Sequence, residues 1–393
     1  MSVISVLPYG ATLDHWWEAL RGEPGRLRFM AWKMVEVVAF CGLWPQARVP
    51  RGHTQPPAWQ PPPSRPDNVV PDPARVVVVV PARIQTAAEV KRFKVLLVAL
   101  ARQTRAGHVV VVDDASPAWP HTPGVEVLRL PRNVGPAAAR NLGLQRAMAL
   151  GAEVVAFTDA DCVPASDWIE QLVTAFRRDR GAHAISGCTR SLDRSWLGRY
   201  HERNGTLNGR RLAESDGLLY GPTCNLALCA DLAAGLRFDE GFPLAAGEDI
   251  EFCCRAIKAG WRIRHSGHAI IWHDFGYDQL GVVGRWKRFW RQFRKYGQGE
   301  RVLLERQPDY PCLFAGSREI PVGVALEEFA KGADVQVKPQ FGSPPQLHLV
   351  GRDHVHEPAL DRCDDQVGRA EKPLEPEQCP RLLARRLVVD GDR

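Results

Sequence analysis

Five consecutive valines, Val76–Val80, constrain this chain more than any other stretch. A β-branched run with no polar alternation fits a strand covered on both faces, the situation of a parallel sheet between helices. The segments that follow repeat the theme. A helical stretch over Ala87–Arg102 leads to a second apolar strand, His108–Val112, which ends in Asp113 and Asp114. Val125–Leu130 reads as a third strand, Pro136–Leu150 as a helix, and Glu153–Thr158 as a fourth strand that ends at Asp159. Strands alternating with helices predict an α/β fold with a mostly parallel sheet flanked by helices and right-handed crossovers. Ligands of such sheets bind at the carboxyl ends of the strands, and here two of those ends are acidic.

The rest of the chain divides by composition. Residues 1–45 form an N-terminal helical segment, with Thr12 or Asp14 placed to cap a helix through His15–Leu20 and a second helix over Leu27–Trp44. That second helix is apolar on most sides and is expected to pack on the main domain, with an interfacial helix lying on a membrane as the alternative. Residues 46–74 are a linker: ten prolines fall between Pro45 and Pro73, and such a segment is extended and builds no core. The main domain covers 75–281. Within it, Ser166–Arg178 and Glu248–Ala259 read as helices and Ile185–Thr189 and Trp261–His273 as strands. Residues 282–319 are a basic amphipathic helical region. Val282, Trp286, Phe289, Phe293 and Tyr296 make its apolar stripe, with Arg285, Lys287, Arg288, Arg291, Arg294 and Lys295 around it. The expected role is docking on the catalytic domain, with peripheral contact to a membrane surface as the alternative. Residues 320–393 lose periodicity and are expected to form an irregular or disordered tail.

Several function classes are excluded by what is missing. None of the ten cysteines forms a CxxC pair, so a zinc ribbon is not expected. No GxxxxGK[ST] string supports a P-loop and no HExxH supports a zinc protease. A net charge of +6 with no nucleic-acid module does not make a nucleic-acid binder. No stretch of 18 uninterrupted apolar residues occurs, and the first residues lack a secretory layout. The expected location is cytoplasmic, extending to the inner face of the cell membrane.

The chemistry-bearing residues lie at the strand ends. Thr158-Asp159-Ala160-Asp161 offers two carboxylates at i and i+2 after an apolar strand, a set suited to a hard cation such as Mn²⁺ or Mg²⁺ that can neutralise a departing diphosphate. A carboxylate at Asp113 or Asp114 can accept from the imide N–H of a base. Arg132-Asn133-Val134-Gly135-Pro136 turns into a helix whose N-terminus favours an anion, and Arg140 on that helix can reach a diphosphate. Gly247-Glu248-Asp249-Ile250-Glu251 opens another helix; a carboxylate there can act as general base. His273, at the end of Ile270-Ile271-Trp272-His273, can complete a metal site.

The order of these motifs resembles family 2 glycosyltransferases with the GT-A fold. The strings that carry the resemblance are VVVVDDAS, RNVGPAAARNLGL, AFTDADC, GPTCNLALCADL, GLRFDEGFPLAAGEDIEFCCRAIKAGWRI and AIIWHDF, in order from about residue 75 to 275. The resemblance implies a Rossmann-like GT-A nucleotide-sugar-binding fold and an inverting transfer from a nucleotide-diphosphate sugar, a UDP-sugar favoured, to an acceptor hydroxyl on a glycan, lipid-linked sugar, peptide or small molecule. It implies Asp249 as catalytic base with Glu248 beside it, Asp113, Asp114, Arg140 and Asp159 on the donor, and Asp159, Asp161 and His273 on Mn²⁺ or Mg²⁺. The Gln-x-x-Arg-Trp string of processive synthases is absent, so a non-processive enzyme of glycan or glycoconjugate biosynthesis is expected. A sugar nucleotidyltransferase is the nearest rival reading. A catalytically degenerate scaffold is the other, since Pro81-Ala82-Arg83-Ile84 replaces the family's usual Pro-x-(Tyr/Phe)-Asn.

Overall fold

A computed structural model describes residues 25–41, 66, 75–122, 124–211, 217–242 and 244–310. The expected helix through His15–Leu20, the linker apart from Pro66, and the 320–393 tail lie outside these residues.

The valine run becomes β1 (Val76–Ala82), whose five valines are all buried. Helix α1 (Arg26–Cys41) precedes it and α2 (Ala87–Ala101) follows, opened by a capping box in which Thr86 and Glu89 satisfy each other's backbone N–H groups. Such a cap is worth about 1 kcal/mol. It fixes the helix start one turn past the carboxyl end of β1. Next come β2 (His108–Asp113), β3 (Glu126–Arg129), α3 (Pro136–Ala149) and β4 (Val154–Phe157). β1 pairs in parallel with β2 on one side and β4 on the other, and β2 with β3. This half matches the sequence expectation to within a few residues at each end. Gly143 lets α3 press onto it, because a Cβ there would run into the Val79 side chain.

The second half is more irregular. β5 (Cys162–Pro164) and α4 (Trp168–Arg178) are followed by β6 (Ala184–Ser191), α5 (Trp196–Arg203), a small hairpin of β7 (Arg210–Arg211) and β8 (Leu218–Tyr220), then β9 (Leu226–Cys229) and α6 (Ala230–Gly235). α7 (Glu248–Lys258), β10 (Ile263–His273) and α8 (Val282–Arg306) complete the described elements. The main sheet runs β3-β2-β1-β4-β9-β6-β10-β5. β9 lies antiparallel between β4 and β6, and β5 antiparallel on β10; the other six strands run one way. The sheet is mostly parallel as expected, and the antiparallel β9 at its centre is an addition that the short LALC run did not announce.

A second apolar cluster joins α1 to the sheet's far end. Phe29 and Ala39 of α1 meet Leu197 and Tyr200 of α5, Phe275 and Tyr277, and Phe289 and Phe293 of α8. Two charges of α1 are absorbed there: buried Lys33 pairs with Glu36 at 2.8 Å and donates to Asn204, while Tyr200 donates to Glu36. The expectation that this helix packs on the main domain therefore stands. The stripe expected on α8 is only half used. Phe289 and Phe293 are fully buried, followed by Gly297 and Leu303, whereas Val282 and Trp286 stay exposed.

Candidate active site

The two aspartates after β2 do different work. Successive residues at a strand end face opposite ways, and Asp113 is the inward one. It is fully buried, accepts from the Ser116 N–H at 2.8 Å, lies 3.3 Å from Arg129, and does not line the cleft. Its contacts hold the turn after β2. Asp114 lines the cleft; its carboxylate accepts from Asn133 Nδ2 and from the Val134 and Gly135 N–H groups at 2.7 and 3.0 Å. It thereby pins the loop that leads into α3, with Gly135 in a positive-φ conformation at the helix start.

Arg140, one turn along α3, lines the cleft and pairs with protein carboxylates. Its guanidinium is buried, 2.6 Å from Glu248 and 3.3 Å from Asp159. Burial alone disfavours its charge. Glu248, Asp159 and Asp249 outweigh that and hold the proton more tightly than in a free arginine. The arrangement ties the end of β4 to the start of α7. One Glu248 oxygen, Oε2, and Arg140 Nε remain buried without a partner, so this knot has donor and acceptor capacity left.

Asp249 follows at the first turn of α7, which starts from Gly247 in the left-handed region. Its oxygens accept from the Ile250 N–H at 2.9 Å and the Thr223 N–H at 3.4 Å. Burial, and then the charge of Glu248, push its carboxyl up to about 7, against the pull of Arg140 and the backbone N–H groups. A carboxylate that gains and loses a proton near neutrality, on a cleft wall, is suited to general base work.

The third acidic element is split by the structure. His273 Nε2 lies 3.4 Å from Asp161 Oδ1, and the ring's Nδ1 is buried without a partner. Among the described residues, the group able to share one ion is Asp161, Cys162 and His273. Asp159 is not in it, because its carboxylate is drawn to Arg140. Burial raises the Asp161 carboxyl; the nearby His273 offsets this and Asp159 adds to it. Cys162 is a poor partner for a hard cation. Burial, then its hydrogen bond to Cys224, push its thiol up, and a hard ion prefers oxygen and imidazole ligands. Asp161 and His273 fit a divalent ion.

Asp114, Arg140, Asp159, Asp161, Glu248, Asp249 and His273 open on one cleft of about 800 Å³. Its remaining wall is one that sequence reasoning missed. α8 contributes Arg288, Arg291, Gln292, Lys295 and Tyr296. They recur at spacings of three and four, a face of their own beside the buried Phe289, Phe293 and Gly297. That periodicity was the available signal, but the apolar stripe drew attention to the docked face. Gln292 donates to the Tyr296 hydroxyl at 2.7 Å, Arg288 to the Phe275 carbonyl. Burial holds the Tyr296 phenol protonated. Acidic strand ends thus face a basic helix across the opening.

The profile of glycosyl transferase family 2 matches residues 78–233. The pre-mycofactocin glycosyltransferases of two Mycobacterium tuberculosis strains are each 30% identical to this chain over 250 residues, 60% of this chain and 48% of their own length. The chain thus spans about half the length of the curated relatives it matches. Among solved structures, a mannosyltransferase from Pyrobaculum calidifontis in complex with GDP-Man and Mn²⁺ is 18% identical, with a TM-score of 0.39 over 82% of this chain and 93% of that one. TarS 1–349 of S. aureus in complex with UDP is also 18% identical, with a TM-score of 0.39 over 62% of this chain and 73% of that one.

Proposed function

We propose that the cleft moves a sugar from a nucleotide-diphosphate donor to an acceptor hydroxyl with inversion, a reading supported by the match of residues 78–233 to the glycosyl transferase family 2 profile. The observation that carries the reading is Asp249: a cleft carboxyl pushed up to about 7, on the same opening as Asp161 and His273. In one displacement, the acceptor oxygen forms its bond to the anomeric carbon as the bond from that carbon to the diphosphate oxygen breaks. The acceptor proton passes to Asp249, and the nucleoside diphosphate leaves.

The chain's own residues divide the remaining tasks. Asp161 and His273 would hold Mn²⁺ or Mg²⁺. When bound, that ion supplies positive charge to the departing diphosphate. Asp114 sets the loop before α3, placing the Val134–Pro136 turn beside the donor. Arg140 is a positioning residue: it fixes Glu248, and so the helix turn that carries Asp249. Arg288, Arg291 and Lys295 supply cations across from the carboxylates, where phosphate oxygens or an anionic acceptor can be met. UDP-sugars are the first donors to test, and pre-mycofactocin is the first acceptor.

The experiment is calorimetry with UDP-, GDP- and dTDP-sugars, with and without Mn²⁺. Binding of one donor that strengthens with Mn²⁺ supports the reading. A folded protein that binds none of them turns the assignment toward a degenerate scaffold. Release of pyrophosphate from a nucleoside triphosphate and a sugar phosphate would instead make it a nucleotidyltransferase.

A further inference from the structure

Helix α1 has two apolar faces. One faces the protein through Phe29 and Ala39. The other carries Leu27, Ala31, Met34 and Val38, spaced four, three and four residues apart, all exposed; Leu27 is 73% exposed. A helix docked on a domain in water normally turns polar residues outward. The start of α8 repeats the anomaly: Val282 is 83% exposed, Val283 is exposed, and Trp286, 45% exposed, stacks on Trp290 at 5.5 Å. The two helices pack together through Trp32 and Phe289, whose rings are 4.8 Å apart.

The charge around these faces has one sign. Between Asp278 and Glu300 there is no carboxylate, while Arg285, Lys287, Arg288, Arg291, Arg294 and Lys295 all fall in that interval. Arg28 of α1, Lys287 and Arg294 are exposed and lie outside the cleft lining. Apolar side chains and a tryptophan flanked by exposed arginine and lysine suit the headgroup region of an anionic bilayer. A second copy of this chain suits it less, since a two-fold contact sets a patch against itself and would bring these cations together. No helix among the described residues is long and apolar enough to cross a membrane. We infer that the outer face of α1 and the first turns of α8 form a docking surface that lies on a bilayer of anionic lipid. The surface is independent of the sugar-transfer reading, because none of Leu27, Met34, Val38, Val282, Val283 or Lys287 lines the cleft.

The test is flotation of the full chain with phosphatidylcholine vesicles, with and without phosphatidylglycerol, at low and high salt. The chain is expected to float with the anionic vesicles and to lose most of that binding in high salt. Met34→Glu with Val38→Glu, and separately Lys287→Glu with Arg294→Glu, should each lower partitioning by about tenfold or more. Both pairs are at exposed sites, so thermal unfolding midpoints close to the parent's serve as the folding control. The inference is overturned if the parent does not float with anionic vesicles, or if both pairs leave flotation unchanged. It is equally overturned if the parent is a dimer that Met34→Glu with Val38→Glu dissociates, which would make a second copy the occupant.

Discussion

Replacing Arg140 by methionine removes a buried cation from between two carboxylates while roughly keeping the side chain's volume. The two pairs are unequal. Asp159 is about a third exposed and 3.3 Å away, so its share is that of a surface pair, roughly 0–1 kcal/mol. Glu248 is 4% exposed and 2.6 Å away. Breaking a buried pair by removing one partner costs about 3–5 kcal/mol, since the other charge is stranded away from water. The expected loss is therefore about 4 kcal/mol, a fall in Tm of the order of 10 °C for a domain of this size. The assay is urea unfolding of four proteins: parent, Arg140→Met, Glu248→Gln and the double variant. Neutralising Glu248 removes the stranded charge, so the double variant should recover at least about 2 kcal/mol relative to the sum of the single changes. A second readout follows from Asp249, whose carboxyl Arg140 holds down; without it the pH needed to ionise Asp249 should rise above the parent's. A loss below about 1 kcal/mol for Arg140→Met, or no rescue by Glu248→Gln, would refute the view that this arginine is there to neutralise Glu248.

Asp249→Asn should leave donor binding intact and abolish transfer, read by calorimetry beside a single-turnover assay; transfer in the parent should rise with pH through about 7, as the base ionises. The stability effect has a definite sign: a carboxyl raised in the folded state stabilises below its unfolded pKa and loses that contribution as pH climbs to about 7, so Asp249→Asn should lose less stability than the parent between pH 5 and pH 8 in thermal melts. His273→Ala should weaken Mn²⁺-dependent donor binding and leave metal-free binding unchanged in the same calorimetry; an unaltered response to Mn²⁺ removes His273 from the ion's ligands. Gly299→Ala should destabilise by roughly 1–3 kcal/mol in urea, because a Cβ there collides with the Ala246 carbonyl and pushes α8 off the loop before α7.

The first half of the sheet was legible because its strands are covered on both faces. The valine runs at 76–80 and 109–112 leave no other assignment, and their carboxyl ends fall where ligands bind. Carboxylates at those ends were therefore readable as a site. Which of two adjacent carboxylates enters it was not. Asp113 and Asp114 differ only in which way the chain turns after β2, and a hydrogen bond to the Ser116 N–H decides it. The Asp159 and Asp161 pair had the same ambiguity. Spacing alone sets the two carboxylates side by side, and it does not announce the Arg140 guanidinium 3.3 Å from Asp159. The central antiparallel β9 was hidden for another reason: the four residues Leu226–Cys229 carry no period that separates strand from loop.

The aromatic packing under the cleft explains why α8 belongs to the site at all. Phe275 lies between two histidines, its ring centroid 4.1 Å from His201 and 4.6 Å from His273. His201 in turn stacks against Phe293 of α8 and reaches the Tyr277 hydroxyl at 2.8 Å. Burial keeps the His201 imidazole neutral, its pKa well below the ordinary value, so the stack carries no charge into an apolar core. The helix that brings Arg288 and Lys295 to the cleft and the strand end that brings His273 are thus held by one uncharged block. The rings from Phe293 through His201 and Phe275 to His273 form one continuous chain of ring contacts. The cationic wall and the His273 imidazole are consequently set against each other by the same packing, with Arg288 donating to the Phe275 carbonyl as the direct link between them.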